Sequence, residues 1–180
     1  MKIRKKQLYL CFLLALAIGC ANIVPIHTSK SEYHSSVELT MTPMGIRGRS
    51  SSIHGLGLYK NSNMQKKTIV LTALIKGVRI FAKGESLHFN IDDKLVSFRS
   101  IDELTDIQRH LGSFNKVAPS KSTSSKRYLI DRSFLQKIVS ADKVIVKINL
   151  DNTDAEGIFT GSLAHKAFLE FEEKIESTFN

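Results

Sequence analysis

The 180 residues include no Trp and only 2 Cys, 3 Pro and 4 Tyr. Two thiols are too few for a disulfide-stapled scaffold or for a zinc site built mainly on thiolates. With 3 Pro and 10 Gly the chain lies far from collagen-like and low-complexity compositions. The shortage of flat rings argues against a nucleic-acid partner, because single strands are held by basic grooves interleaved with stacking aromatics. No Gly-x-Ser-x-Gly elbow is present, and the two Gly-rich patches, Gly45-Ile46-Arg47-Gly48-Arg49 and Gly55-Leu56-Gly57, fit neither a phosphate loop nor a dinucleotide fingerprint. The six His (His27, His34, His54, His88, His110 and His165) include no pair at His-x-His or His-x-x-x-His spacing. The residues therefore predict no catalytic group, no metal ligand and no cofactor.

What the chain does have is an ordinary globular composition, 42% hydrophobic and 24% charged, with a formal charge of +9. That suits one domain with a packed core and leaves little room for two. The amino terminus differs sharply from the rest. Lys2, Arg4, Lys5 and Lys6 precede an uninterrupted apolar run, Leu8 to Ile18, and the small residues Gly19-Cys20-Ala21 follow it. A positive stretch, a short apolar stretch and a small-residue exit are the parts of an export signal. The apolar run is about half the roughly 20 residues that a membrane-spanning helix requires.

Within that exit, Ala17-Ile18-Gly19-Cys20 resembles the lipobox of bacterial lipoproteins. The resemblance covers about the first 21 residues and implies that Cys20 is acylated and becomes the new amino terminus. Residues 1–19 would then be a removed signal peptide, Cys11 would leave with it, and the mature chain would hold no free thiol. Ala21 after the Cys implies an outer-membrane anchor facing the periplasm, and the membrane becomes a partner through the amino-terminal lipid. Ala17-x-Gly19 also satisfies the small-x-small rule of plain secretion, which remains the alternative.

Residues 20–52 are rich in Ser, Thr, His and Lys and read as a basic, Ser-rich tether. Within it Val37-Glu38-Leu39-Thr40-Met41-Thr42 alternates, so a single strand docking on the domain is the other reading. Charge is uneven: residues 20–84 carry +7 and residues 85–180 carry −2. A basic stretch beside an acyl anchor adds attraction to anionic lipid, and a solvated linker explains the same residues.

Residues 53–180 form the expected domain. Thr68 to Phe81 is β-branched and lacks a helical period, which predicts a strand bent at Gly77 or two short ones. Leu87 to Ile91 and Lys94 to Phe98 flank Asp92-Asp93, and a two-residue turn pairs Leu87 with Phe98 and Phe89 with Val96. Ser100-Ile101-Asp102-Glu103 and Ser133-Phe134-Leu135-Gln136 both have capping-box spacing and predict helices, the first continuing through Leu104, Ile107 and Leu111. Pro119 to Lys126 reads as a polar loop. Val144, Val146, Ile148 and Leu150 alternate as a half-buried strand, and Ser162 caps a final helix with a Leu163, Ala167, Phe168, Phe171, Ile175 stripe. Asn152 to Gly157 has the oxygen spacing that opens a calcium loop, but its twelfth position is Leu163, so a polar turn suffices. The expected fold is α+β: an antiparallel sheet of about five or six strands with two or three helices packed on one face.

The expected function is an envelope lipoprotein whose small non-enzymatic domain binds an envelope protein partner through a sheet edge or face. A ligand-binding module for lipid or cell-wall glycan would need a cavity or an apolar groove. An envelope hydrolase would need His, Asp or Ser side chains converging in a cleft.

Overall fold

The computed structural model describes residues 26–31, 35–48, 53–110 and 121–179. Cys20 and the whole lipobox lie outside the described residues. Eleven strands form two antiparallel sheets. In chain order they are β1 (Ile26–Ser31), β2 (Ser36–Met44), β3 (Arg47–Gly48), β4 (Ile53–Asn61), β5 (Thr68–Lys76), β6 (Glu85–Ile91), β7 (Lys94–Arg99), β8 (Asp106–His110), β9 (Lys121–Asp131), β10 (Val144–Asn149) and β11 (Asp154–Ile158). Helix α1 (Arg132–Ser140) lies between β9 and β10, and α2 (Leu163–Phe179) follows β11. One sheet has six strands in the order β1-β2-β4-β5-β9-β8, the other five in the order β3-β11-β10-β6-β7.

Each sheet turns one face inward. Across the six-stranded sheet the register aligns Met41, Leu58, Leu71 and Tyr128 in one row and Leu39, Lys60, Ile69 and Ile130 in another. Across the five-stranded sheet Phe89, Val146 and Gly157 align, as do Leu87, Ile148 and Ala155. The helices pack into the same core. Helix α2 lies against β2 and β4, and α1 against β9 and α2. Phe134 of α1 stacks edge-on to Phe89 and Phe98 of the five-stranded sheet, with ring centroids 5.2 and 4.6 Å away. A second tie crosses between the sheets where the Tyr128 and Ser86 hydroxyls, both fully buried, meet at 2.8 Å. One buried cluster thus joins both sheets and both helices.

The expected single sheet with helices on one face is corrected to two sheets and two helices. Three local readings account for most of the difference. First, 26–48 of the supposed tether supplies β1, β2 and β3, because Leu39 and Met41 alternate into the core and polar neighbours face out. Second, the polar loop at 119–126 is corrected from Lys121 onward: β9 begins there, and its inward positions Ser124 and Lys126 are polar but buried. Third, the helix expected after Ser100 is absent. Ser100 Oγ accepts from the Asp102 amide within a tight turn, and β8 follows. Of the stripe that suggested a helix, Leu104 and Ile107 are 83% and 40% exposed, and Leu111 lies outside the described residues.

Other local signals hold. The β6–β7 register is Leu87 with Phe98 and Phe89 with Val96. Asp92 and Asp93 both adopt positive φ, 47° and 63°, the backbone of a primed turn that matches strand twist. Ser162 Oγ accepts from the His165 amide and caps α2. Helix α1 starts one residue ahead of the Ser133 box, with Asp131 at the N-cap position and no side-chain cap.

Candidate functional site

Strand periodicity that sends Leu87, Phe89, Val146 and Ile148 inward sends the intervening residues out. On the outer face of the five-stranded sheet Ser97, His88, Lys147 and Glu156 stand side by side across four strands. A parallel row holds Leu95, Asn90, Ile145 and Ile158. A depression of about 350 Å³ lies over these rows, with Asn149 at one end. Leu95 and Ile158 are 70% and 46% exposed, which makes them apolar flanks to a polar centre.

The centre is linked by hydrogen bonds. His88 Nδ1 lies 2.8 Å from Ser97 Oγ and His88 Nε2 lies 2.9 Å from Asn149 Nδ2. With the amide nitrogen turned to the ring, Nε2 accepts and Nδ1–H donates to Ser97 Oγ; turning the amide over would bring the otherwise unpartnered Oδ1 to an Nε2–H and reverse both bonds. The same bonds fix the ring rigidly on the sheet surface. Lys147 Nζ reaches Asp154 Oδ2 at 2.8 Å, a half-exposed pair that orients side chains more than it stabilises. Asn149 Oδ1 is buried with no partner among the described residues, an unmet acceptor at the edge of the depression.

The remaining sequence candidates are dispersed. His27 and His54 are exposed, on β1 and β4. His34 lies outside the described residues, and His110 closes β8. His165 is structural: Nδ1 accepts from the Gly161 amide at 3.0 Å and Nε2 stands 3.1 Å from the Val139 carbonyl, which ties α2 to the end of α1. The residues with calcium-loop spacing run into β11, in which Asp154 and Glu156 alternate out of the strand. Among the described residues no three His, Cys, Asp or Glu side chains cluster to hold a metal ion. No helix among them is long and apolar enough to cross a membrane.

Sequence reasoning missed two buried lysines, both on the inward face of the six-stranded sheet. Lys60 is 2% exposed and its Nζ donates to the carbonyls of Lys66, Thr68 and Gln65 at 2.9, 3.1 and 3.3 Å. The Phe179 ring covers it at 5.5 Å. Burial, and secondarily Arg132, lowers its pKa from the usual lysine value. Lys126 is 4% exposed and has one acceptor among the described residues, the Glu103 carbonyl at 3.5 Å. No periodicity signal could have found them, because a lysine at an inward strand position reads as a break in the apolar pattern.

Comparison of the chain with protein-family models, curated proteins and solved structures finds no match in any of the three.

Proposed function

We propose that the protein is a bacterial envelope lipoprotein, anchored through lipid on Cys20 at the outer membrane and facing the periplasm. Its folded domain acts as a non-enzymatic module that binds an envelope protein through the outer face of the five-stranded sheet. The observation that carries this reading is the composition of that face. Ser97, His88 and Asn149 form a pre-ordered polar line, Lys147, Asp154 and Glu156 offer charges of both signs, and Leu95 and Ile158 add exposed apolar contact area. Such a mixture of fixed polar groups and flanking aliphatics suits a protein surface. Side chains from both sheets are buried in one cluster, which speaks for a surface site over an interior lipid cavity.

Photo-crosslinking in the native host tests the face. A crosslinker at position 95 or 158 is expected to capture one protein that the same group at the exposed Thr40 of β2 does not, and Lys147→Glu is expected to abolish capture. Equal labelling from all three positions would defeat the proposal. Intact mass tests the anchor: a chain starting at Cys20 with acyl mass added is expected, and Cys20→Ala is expected to accumulate precursor. An unmodified chain cleaved nearby would replace the lipoprotein reading with a soluble exported domain.

A further inference from the structure

The two buried lysines differ in a way that the fold alone does not explain. An ammonium carries three donors, and a charge removed from water requires compensation by hydrogen bonds or an opposite charge. Lys60 has three carbonyl acceptors. Lys126 points from the same inward face, beside Ala73 in the strand register, yet its only acceptor among the described residues is the long contact to the Glu103 carbonyl. No carboxylate lies within ion-pair distance of Lys126 among the described residues.

Lys126 borders a depression of about 170 Å³, whose rim adds Lys83 and Arg99. Both are exposed, and neither forms an ion pair among the described residues. Two acids, Asp102 and Glu103, share the lining, and the Lys126 charge contributes to holding Asp102 ionised, but the three cations outnumber them. The Asp102 carboxylate accepts from the Arg127 guanidinium at 2.7 Å and from the Arg127 amide at 2.8 Å. Those bonds keep Asp102 ionised and occupied, and Arg127 first of all draws its pKa below the usual carboxylate value. Glu103 is exposed, and what it turns towards Lys126 is its carbonyl. Glu85 stands opposite Arg99 in the β6–β7 ladder without an ion pair. Three cations therefore converge on a small hollow, and one of them is buried with donors to spare.

We infer that this hollow, between β9 and the turn that follows β7, binds a phosphate group. The buried Lys126 ammonium would supply the central charge-assisted bond, Arg99 a planar fork and Lys83 a flexible second charge. The volume is below the roughly 300–1,000 Å³ of pockets that enclose drug-sized ligands, so the entering group is small. Phosphate could come free in solution or as the headgroup of an anionic lipid. The site lies apart from the depression over His88 and does not depend on the reading of that face.

The test titrates the full protein at low salt with inorganic phosphate, following backbone amide resonances, and separately sediments it with phosphatidylcholine vesicles with or without phosphatidic acid. Saturable shifts at 83–84, 99–103 and 126, with binding about tenfold weaker in Lys126→Met, establish the site and a free-phosphate source. Phosphatidic-acid-dependent sedimentation, lost in Lys126→Met with no response to inorganic phosphate, establishes the site with a headgroup source. Arg99→Gln, at an exposed position that cannot unfold the core, is expected to weaken whichever response is seen, and Glu103→Gln to strengthen it. Absence of both responses, or equal responses in Lys126→Met and the parent, overturns the inference. So does a loss of phosphate binding in Glu103→Gln, which would make Glu103 a builder of the site and not its competitor.

Discussion

Removing the Tyr128 hydroxyl is the most direct test of how the two sheets are joined. Tyr128 Oη and Ser86 Oγ lie 2.8 Å apart, both residues are fully buried, and no other side-chain bond to either hydroxyl is present among the described residues. Tyr128→Phe removes one partner and strands the other. The lost bond is worth about 1 kcal/mol net, and the orphaned Ser86 hydroxyl costs about 1–3 kcal/mol, so a destabilisation of roughly 2–3 kcal/mol is expected. Ser86→Ala should cost a similar amount, because it strands the tyrosine. The double variant strands nothing, and its cost should fall well short of the sum of the two, by about 1–2 kcal/mol. Urea unfolding followed by circular dichroism reads this as a midpoint shift of about 1 M for each single variant, with a typical slope of about 2 kcal/mol/M. Strict additivity would refute the argument, since it would mean that each hydroxyl already has another partner. Alkaline pH adds a second limb. Burial pushes the Tyr128 phenol up to about 12 from its ordinary value of 10.0. Above pH 10 the unfolded chain releases this proton and the folded one retains it, so stability falls as pH rises from 10 to 12, by about 2–3 kcal/mol. Tyr128→Phe should lack that component of the pH profile.

Three further predictions address other parts of the structure. Lys60→Met removes the donor from three carbonyls of the β4–β5 turn and is expected to cost about 2–3 kcal/mol, with hydrogen exchange accelerating first at 62–68; uniform acceleration throughout the chain would argue against a local cage. Gly157→Ala would place a Cβ 2.7 Å from Ile46 Cδ1 and 2.9 Å from the Arg47 carbonyl, so β3 should detach from β11 with loss of its amide protection, whereas unchanged protection at Arg47 and Gly48 would contradict the close approach. Asn149→Asp gives His88 Nε2 a carboxylate to donate to and should move the neutral ring's proton from Nδ1 to Nε2, read from imidazole nitrogen shifts; an Nε2–H tautomer already in the parent would refute the polarity argued for the site.

Local rules read this chain well where local chemistry decides. The Asp92-Asp93 turn fixes a register that the hydrophobic pairs Leu87–Phe98 and Phe89–Val96 also favour, and the two signals agree. The final helix combines a Ser162 cap with an apolar stripe, and its Ala167, Phe168, Phe171 and Ile175 are all buried. Reading failed where a strand is stabilised by its neighbours. β9 has the inward sequence Ser124, Lys126, Tyr128, Ile130, half of it polar, and it forms because β5 and β8 pair with it on both sides. The Ser100 box failed for the opposite reason. Its local signal was good, but Asp102 found Arg127 across the sheet, and a two-point ion pair with backbone bonds holds that segment as a turn. The outer-face site was legible only as separate residues, since the alignment of Ser97, His88 and Asn149 depends on the order of strands β7, β6 and β10.

The correction to the tether changes what the proposed anchor can do. A flexible linker of 33 residues, from Cys20 to Ser52, would let the domain range about 30 Å from its lipid. With β1 starting at Ile26, the six residues from Cys20 onward span at most about 20 Å when fully extended. Lipid on Cys20 would therefore hold the folded domain close to the bilayer. Surface charge would then act through a layer comparable to the Debye length of about 8–10 Å, and exposed lysines and arginines of the domain itself, and not those of a linker, would face anionic headgroups. Lys60, which contributed to the basic excess of the first half, is buried and plays no part in that contact. Lys83 and Arg99 at the rim of the Lys126 hollow remain exposed. If the proposed anchor and partner hold, a short tether would also limit that partner to proteins that approach the membrane surface, which is why crosslinking should be made in intact cells and not on detergent extracts.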